Sequence, residues 1–271
     1  MTDYPTLTLN DNRQIPQLGF GTYQIPDGDA EGAVSTAIDV GYWLIDTAAV
    51  YDNETGVGKG ISEWSDIFLQ TKVWNDDQGH DEALKAFDES LERLGREHVD
   101  MLLIHWPCPA KGKFVETWKA LIELRDAGKA KSIGVSNFRE QDLKRIIEDT
   151  GVTPALNQIE LHPSFQQREL RRVHEELGIV TQCWSPLGQG EGLENDTIQR
   201  IAAETGAPAS AVILAWHLQH GLAPIPKASS RDHADANFKA LGLTLSDKQM
   251  AAIDGLDRDS GRMGPDPSEM C

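Results

Sequence analysis

Three apolar runs of the sequence each end in a side chain that can take part in acid-base chemistry. Asp46, Lys72 and His105 occupy these positions, and Tyr51 follows Asp46 by five residues. A lysine beside a tyrosine favours the phenolate and lowers the phenol pKa from about 10, while an aspartate near the lysine keeps the ammonium charged and fixed. Because the ends of neighbouring parallel strands share one edge of a sheet, we expect these side chains to meet there.

The chemistry that these four residues favour is the delivery of a proton to a developing alkoxide. Tyr51 is the expected proton donor, and His105 is expected to hydrogen-bond the same oxygen and to orient or polarise a carbonyl. None of the four supplies electrons, so a hydride donor is required, and nicotinamide is the simplest candidate. Each residue alone is more often structural, and only their joint placement favours catalysis.

Eight apolar β-type runs alternate with amphipathic helical stretches along the chain. The predicted strands are 17–21, 43–46, 67–72, 99–105, 131–135, 155–160, 179–184 and 223–226, and the helical stretches include 30–40, 81–94, 115–127, 141–149, 167–177 and 210–219. Eight such units predict an α/β fold with a parallel sheet, a (β/α)8 TIM barrel. A doubly wound sheet is the alternative, which the lack of G-x-G-x-x-G after the first strand disfavours.

We expect a single domain with three parts. An N-terminal β-hairpin covers 6–16 and turns at 10–12, the barrel covers 17–240, and a C-terminal segment covers 241–271. The end of that segment, 257–271, is rich in Gly, Pro and Asp and is predicted to be an irregular tail.

The bulk composition narrows the class of protein. The 271 residues are 39% hydrophobic and 25% charged, which is ordinary for a globular protein with a large core. A net charge of −18 repels nucleic-acid phosphates and anionic lipids, so no nucleic-acid or membrane partner is expected. Residues 1–5 lack the features of a secretion signal, and no apolar run approaches about 18 residues, which favours the cytoplasm.

The cysteines and histidines predict neither a disulfide framework nor a metal site. Cys108, Cys183 and Cys271 are widely spaced and form no CxxC pair, which fits a reducing compartment. His217 and His220 lie one helical turn apart, but no third ligand is evident. The glycine-rich segment 56–60 has neither the spacing nor the Ser or Thr of a phosphate loop.

The sequence around these residues resembles the aldo-keto reductase family. The stretches that carry the resemblance are 19–22, 44–51, 71–74, 105–107, 134–138, 157–160, 184–188, 225–227 and 264–267. Within the family, the chain is most similar to the short bacterial 2,5-diketo-D-gluconate reductase type. The resemblance implies an oxidoreductase that transfers a hydride from NAD(P)H to the carbonyl of aldehydes, ketones or keto-sugars, with Tyr51 as general acid.

The same resemblance implies a nicotinamide dinucleotide that lies across the barrel mouth without a Rossmann domain. Ser136, Asn137 and Gln158 are expected to bind the nicotinamide amide, and Trp184 is expected to stack on its ring. The other expected cofactor contacts are Gly21, Thr22, Ser185, Leu187, Gly188, Gln189, Lys227, Ala228, Ser229, His233 and Asn237.

The adenosine end departs from the family pattern. Ala228 and His233 stand where the pattern has Ser and Arg. Loss of a hydroxyl and of a permanently charged guanidinium weakens the grip on a ribose 2′-phosphate. We therefore expect NADPH as the cofactor, with a reduced preference that leaves room for NADH.

The substrate is expected to enter over an aromatic rim of Tyr23, Trp74 and Trp106, which suits a small carbonyl compound. By analogy with the family, the protein is expected to be a monomer or weak dimer. Two other classes remain open. A non-catalytic redox sensor or interaction subunit on the same fold would be favoured by loss of one of the four residues, and none is lost. An unrelated barrel hydrolase or isomerase would need paired carboxylates, where the predicted site has one.

Overall fold

The first two strands form the hairpin that the sequence predicts. The computed structural model describes residues 4–271, so residues 1–3 of the N-terminal stretch considered above lie outside the described residues. Strands β1 (Thr6–Thr8) and β2 (Gln14–Pro16) pair antiparallel, with Leu7 opposite Ile15.

Eight further strands run parallel and are ordered in the sheet as they are in the sequence. They are β3 (Phe20–Gly21), β4 (Leu44–Asp46), β5 (Phe68–Val73), β6 (Val99–Ile104), β7 (Ala130–Ser136), β8 (Leu156–Glu160), β9 (Val180–Trp184) and β10 (Ala223–Pro224). The sheet closes on itself, because Gly19 N–H donates to the carbonyl of Pro224 and Gly21 N–H donates to that of Pro226. The predicted (β/α)8 barrel is confirmed, and the doubly wound alternative is wrong.

Helices surround this barrel. They are α1 (Asp27–Val40), α2 (Glu54–Gly60), α3 (His80–Leu94), α4 (Phe114–Asp126), α5 (Glu140–Thr150), α6 (Arg168–Leu177), α7 (Asp196–Thr205), α8 (Ala209–Gln219), α9 (Arg231–Phe238) and α10 (Asp247–Asp254). The periodicity predicts six of them and misses α2, α7, α9 and α10. In residues 4–271, no helix has both the length and the apolar character needed to cross a membrane.

Helix α2 shows why the periodicity of apolar residues does not predict every helix. It contains three glycines, which have a low helix propensity. A Cβ at Gly58 would collide with the backbone of Leu94, so the glycine permits close packing of α2 against α3. The segment considered as a phosphate loop is thus a buried helix.

Side-chain alternation along the strands decides which residues line the barrel interior. In β6, Met101 and Leu103 are buried together with Ile15 of the hairpin. The intervening Leu102 belongs to the core formed with the surrounding helices. The hairpin therefore covers an apolar floor at the amino-terminal end of the barrel, and His105, two residues beyond Leu103, lies at the opposite, carboxyl-terminal end.

A disulfide joins Cys108, in the loop after β6, to the terminal residue Cys271, with their Cα atoms 5.0 Å apart. Cys183 is free and buried. The expectation of no disulfide is therefore wrong. The partners are 163 residues apart in sequence, and only the path of the tail back over the barrel brings them together.

Candidate active site

The barrel mouth contains a buried ion pair between Asp46, at the end of β4, and Lys72, in β5. Lys72 Nζ lies 2.8 Å from each carboxylate oxygen of Asp46 and donates to the carbonyl of Thr47 at 2.8 Å. Asp46 is paired in register with Gln70. Because Lys72 is two residues beyond Gln70, both β5 side chains point into the barrel.

Tyr51 and His105 lie beside this ion pair. Tyr51 ends the 3-10 turn Ala49–Tyr51 that follows β4, and its hydroxyl lies 3.4 Å from Lys72 Nζ. His105 follows β6 directly, and its ring packs edge to face against Tyr51 with the centroids 5.6 Å apart. The structure thus brings together the four residues that the sequence analysis selects.

Burial is the largest influence on the pKa values of Tyr51, Lys72 and His105. It raises the pKa of Tyr51 well above the ordinary 10.0, and the charge of Asp46 raises it further. The expectation that this pKa is lowered is therefore wrong, because desolvation and the charge of Asp46 dominate it. Burial also lowers the pKa of Lys72, against the opposing charge of Asp46. Burial and then the charge of Lys72 lower the pKa of His105 well below its ordinary value.

One wall of the mouth is a connected set of polar side chains. Asn137 Nδ2 donates to Ser136 Oγ and to the carbonyl of His105, each at 3.0 Å. Trp184 Nε1 donates to Asn137 Oδ1 at 2.8 Å. Ser136 Oγ donates to the carbonyl of Gln158 at 2.8 Å. Amides and a hydroxyl beside an indole suit a planar ring that carries a carboxamide.

The loop after β9 follows Trp184 of this wall and has a left-handed backbone at several positions. Ser185, Gly188 and Gln189 have φ angles of 48°, 58° and 51°, in the left-handed region. Leu187, between them, is partly buried. Turns of this kind direct N–H groups outward and form concave anion sites, which suits a pyrophosphate.

Gly21 and Thr22 connect the mouth to the far side of the barrel. Thr22 Oγ1 donates to the carbonyl of Asp46 at 3.0 Å. A Cβ at Gly21 would lie 2.9 Å from the carbonyl oxygen of Ile225, so the glycine permits the close approach of these two backbone segments.

A cavity of about 530 Å³ lies beyond them, between α1 and the start of α9. The residues after β10 that line it are Lys227, Ala228, Ser229, Ser230, Arg231 and Ala234. Ser229 Oγ lies 2.9 Å from His233 Nδ1. Asn237 is buried further along α9. The segment after β10 thus brings two cations and two hydroxyls to a cavity that Asp29 and Thr36 also line. Cations and hydroxyls are the donors that a phosphate needs.

The predicted aromatic rim lies at the entrance of the mouth. The ring of Tyr23, which is 57% exposed, lies 5.1 Å from the ring of Tyr51. Trp74 packs edge to face on His105 at 5.1 Å, and Trp106 lies 6.5 Å from Trp184. The rim therefore contacts both the catalytic candidates and the indole of the polar wall.

Comparison with known proteins identifies the family. The sequence matches the model of the Aldo/keto reductase family over residues 17–258. It is 48% identical to an aldo-keto reductase of Mycolicibacterium smegmatis, over 97% of each chain. The chain belongs to the aldo/keto reductase family. As an aldo-keto reductase, it is an oxidoreductase of carbonyl compounds.

Two further relatives are informative about this aldo-keto reductase. The 2,5-diketo-D-gluconic acid reductase B of Corynebacterium sp. is 42% identical over 95% of each chain. Among solved structures, a point mutant of Gox0644 in complex with NADPH has a TM-score of 0.97 and 45% identity over 99% of each chain. The resemblance inferred from the motifs is confirmed.

Sequence reasoning misses Glu160, whose carboxylate ties the C-terminal tail to the mouth. It accepts hydrogen bonds from the N–H groups of Met263 and Gly264 at 2.7 and 3.0 Å, and His162 Nε2 lies 3.1 Å away. Burial alone would raise the pKa of Glu160, but these hydrogen bonds outweigh it and lower the pKa. A Cβ at Gly264 would collide with the indole of Trp184, so the tail lies directly against that ring.

Sequence reasoning also misses Gln70 and Gln182, two fully buried amides inside the barrel. A signal was available for Gln70, because it stands two residues before Lys72 in an otherwise apolar run and so shares its inward face. His217, by contrast, is structural. Its two ring nitrogens lie within hydrogen-bond distance of the carbonyls of Ile213 and Leu161. Within residues 4–271, no three potential ligands gather into a metal site.

Proposed function

We propose that this chain reduces small carbonyl compounds with a hydride from NAD(P)H and that Tyr51 is the general acid. The observation that carries the proposal is the placement of the Tyr51 hydroxyl 3.4 Å from Lys72 Nζ, while Lys72 is held by both carboxylate oxygens of Asp46. This arrangement fixes one proton donor at the mouth of a barrel whose wall suits a nicotinamide ring.

The protonation state of Tyr51 suits the reductive direction. The reduced nicotinamide, when bound, supplies the hydride that the protein side chains cannot. Because its pKa is raised by burial, Tyr51 keeps its proton at neutral pH and can give it to the carbonyl oxygen as negative charge develops. Lys72 then stabilises the phenolate that remains, and Asp46 balances the lysine charge.

His105 contributes a neutral ring that orients the substrate oxygen. Its pKa is lowered by burial, so the imidazole carries no charge at neutral pH. Its Nδ1 is buried without a partner among the described residues. An unpaired buried N–H is rarer than an unpaired acceptor, so we place the proton on Nε2, where it can be donated to an oxygen in the mouth.

The residues present fit a nicotinamide dinucleotide. Ser136, Asn137 and Trp184 offer hydrogen bonds and an aromatic face to the ring, and the left-handed turn at 185–189 offers N–H groups to the pyrophosphate. Lys227 and Arg231 offer positive charge at the adenosine end. The similarity to a protein crystallised with NADPH supports the same assignment.

At that adenosine end we propose NADPH as the main cofactor, with substantial use of NADH. Ala228 has no hydroxyl to offer, and the ring of His233 is engaged with Ser229. Neither replaces the bidentate guanidinium that a 2′-phosphate favours. The ratio of kcat/KM with NADPH to kcat/KM with NADH should therefore be modest.

The proposed substrates are small aldehydes, ketones or keto-sugars. The rim of Tyr23, Trp74 and Trp106 offers apolar faces that suit a carbonyl compound or the face of a sugar. One relative, named for its action on 2,5-diketo-D-gluconic acid, supports the sugar-derived members of this class.

We propose the cytoplasm as the location and a monomer or weak dimer as the working form. The proposed monomer or weak dimer rests on analogy with the family. The disulfide between Cys108 and Cys271 is unusual for a reducing compartment, and counting of reactive thiols tests whether it forms there.

The experiment that tests this function uses NADPH deuterated at the transferable position and a small dicarbonyl. The expected result is oxidation of the cofactor and deuterium at the former carbonyl carbon of the product, found by mass spectrometry. Cofactor oxidation without deuterium in the product, or no oxidation with any of a panel of aldehydes, ketones and keto-sugars, would refute the proposal.

A further inference from the structure

Three buried glutamines lie together inside the barrel beneath the catalytic candidates. We call Gln70, Gln158 and Gln182 the inner amide cluster. They come from β5, β8 and β9, and all are at most 2% exposed. Gln158 is a proposed nicotinamide contact, whereas Gln70 and Gln182 have no role in the mechanism described above.

The inner amide cluster is bonded to the catalytic carboxylate. Gln70 Nε2 donates to Asp46 Oδ1 at 2.5 Å, and Gln158 Nε2 donates to the same oxygen at 2.9 Å. Together with Lys72 Nζ, three donors converge on Oδ1. Hydrogen bonds to an ionised carboxylate stabilise its charged form.

Gln182 lies across the barrel from Gln70 and is paired in register with Gln158 on the neighbouring strand β8. Strand β9 is four places from β5 in the sheet order. Gln182 Oε1 accepts from Gln70 Nε2 and from Gln158 Nε2, each at 2.7 Å. The cluster therefore bridges the barrel and fixes the orientation of both donors to Asp46.

A packing role alone does not explain this cluster. Leu44, Met101 and Leu103 show that inward positions nearer the floor are filled with apolar side chains. Gln70 Oε1 and Gln182 Nε2 are buried without hydrogen-bond partners among residues 4–271. Unpaired buried polar atoms are unfavourable, and local violations of this kind concentrate at functional sites.

We propose that Gln70 and Gln182 are positioning residues of the carbonyl reductase reaction, an inference that rests on the proposed function. They hold the Asp46 carboxylate in the orientation in which it pairs with Lys72, and Lys72 in turn stabilises the Tyr51 phenolate. The other titratable groups that face this set are His105, Tyr23 and Glu54, the last of which is ion-paired with Arg93.

The test is the pH dependence of Gln70→Leu in both reaction directions. Alcohol oxidation, the reverse reaction, requires Tyr51 as phenolate. Loss of a hydrogen-bond donor to Asp46 makes the charged Asp46–Lys72 pair less favourable. The phenolate is then less favourable too, because it depends on the charge of Lys72. In the variant, we expect the pH at which the rate of alcohol oxidation rises to be higher by about one unit. We also expect kcat for alcohol oxidation to fall about tenfold. Both changes are consistent with loss of one hydrogen bond to a charged group. The KM for the carbonyl substrate and the Kd for NADPH should change little.

Met101→Leu is the matched control, because it alters an equally buried inward residue of β6 that is paired in register with Gln70 but has no side-chain hydrogen bond to the cluster. It should leave the pH profile unchanged. If Gln70→Leu does not fold, Gln182→Leu applies the same test from β9, with a smaller shift in the same direction.

The outcomes separate the two proposals. A wild-type protein that reduces no carbonyl would overturn the proposed function and this inference with it. An active wild type, combined with folded Gln70→Leu and Gln182→Leu variants whose pH profiles and kcat match it, would overturn this inference alone.

Discussion

Lys72 Nζ lies 2.8 Å from both carboxylate oxygens of Asp46, and the two side chains are 0% and 3% exposed. Burial of two charges has a desolvation penalty that their attraction does not reliably exceed, so such a pair is weak evidence for stability. The contact of Lys72 with the Tyr51 hydroxyl indicates that the ion pair serves the proposed proton transfer.

This relationship predicts that stability and activity can be separated. Asp46→Asn leaves a buried lysine without its counter-charge, so the free energy of unfolding should fall by about 3–5 kcal/mol and carbonyl reduction should be lost. The double variant Asp46→Asn with Lys72→Met should be more stable than Asp46→Asn and equally inactive. Urea denaturation and NADPH oxidation measure the two quantities.

The control for the ion-pair experiment is the exposed pair Lys144–Glu140 on α5. Neutralising it should leave both stability and activity near wild type, because exposed pairs contribute little. A double variant of Asp46 and Lys72 that regains activity would contradict the role assigned to the pair.

Cofactor preference should respond to the adenosine end of the site. Because Ala228 and His233 replace the hydroxyl and guanidinium of the family pattern, the wild-type ratio of kcat/KM for NADPH over NADH should stay well below about a thousandfold. His233→Arg with Ala228→Ser should raise that ratio about tenfold through a charge-assisted hydrogen bond. Steady-state kinetics with both cofactors gives the ratios.

A matched control for cofactor preference is His98→Arg, which adds the same charge at an exposed position outside the cavity. If His98→Arg raises the NADPH preference as much as the variant His233→Arg with Ala228→Ser does, the preference depends on net charge and the assignment of the cavity to the 2′-phosphate is wrong.

Buried histidines should make the protein sensitive to acid. Burial lowers the pKa of His174 to about 3 and that of His217 to about 4, from an ordinary 6.5. Between pH 6.5 and 4 the unfolded chain binds protons that the folded chain does not, so the free energy of unfolding falls as pH falls, by up to about 1.4 kcal/mol per pH unit for each histidine. Stability above pH 6.5 should be independent of both.

Denaturant unfolding between pH 4 and 7 checks this dependence. His174→Gln should reduce the slope of the free energy of unfolding against pH by the contribution of one histidine, although the variant is expected to be less stable at pH 7. The exposed His98→Gln should leave the slope as in wild type. Equal slopes in His174→Gln and wild type would show that His174 is not held neutral.

The disulfide should contribute measurably to stability. A cross-link that closes a loop of 163 residues restricts the unfolded chain by about 5 kcal/mol in the chain-entropy model. Cys271→Ser should therefore lower the midpoint of urea unfolding, and a dithiol reductant should lower that of wild type in the same way.

Thiol counting on the denatured protein decides whether the cross-link forms. One thiol, Cys183, should react before reduction and three after it. Three reactive thiols without reductant, in protein purified from the cytoplasm, would show that Cys108 and Cys271 are not joined there.

The fold could be predicted largely because its signals are local. Each barrel strand is a short apolar run, and the strand ends at Asp46, Lys72 and His105 are visible as polar residues after such runs. Side-chain alternation then places them in one mouth without knowledge of any contact.

The remaining features depend on distant parts of the chain or on burial. The disulfide of Cys108 requires the path of the tail, and the bond between Gln70 and Gln182 requires closure of the barrel. The raised pKa of Tyr51 depends on how much solvent the finished mouth excludes, whereas the expected position of Lys72 beside Tyr51 suggests only a lowering.

The measurement that tests the central claim most directly compares wild type with Tyr51→Phe for reduction of a dicarbonyl by NADPH, followed at the absorbance of the reduced nicotinamide. Removal of the general acid should lower kcat by about 10²- to 10⁴-fold. The Kd for NADPH, measured by quenching of tryptophan fluorescence, should stay close to the wild-type value. Equal rates of cofactor oxidation by the two proteins would contradict the account.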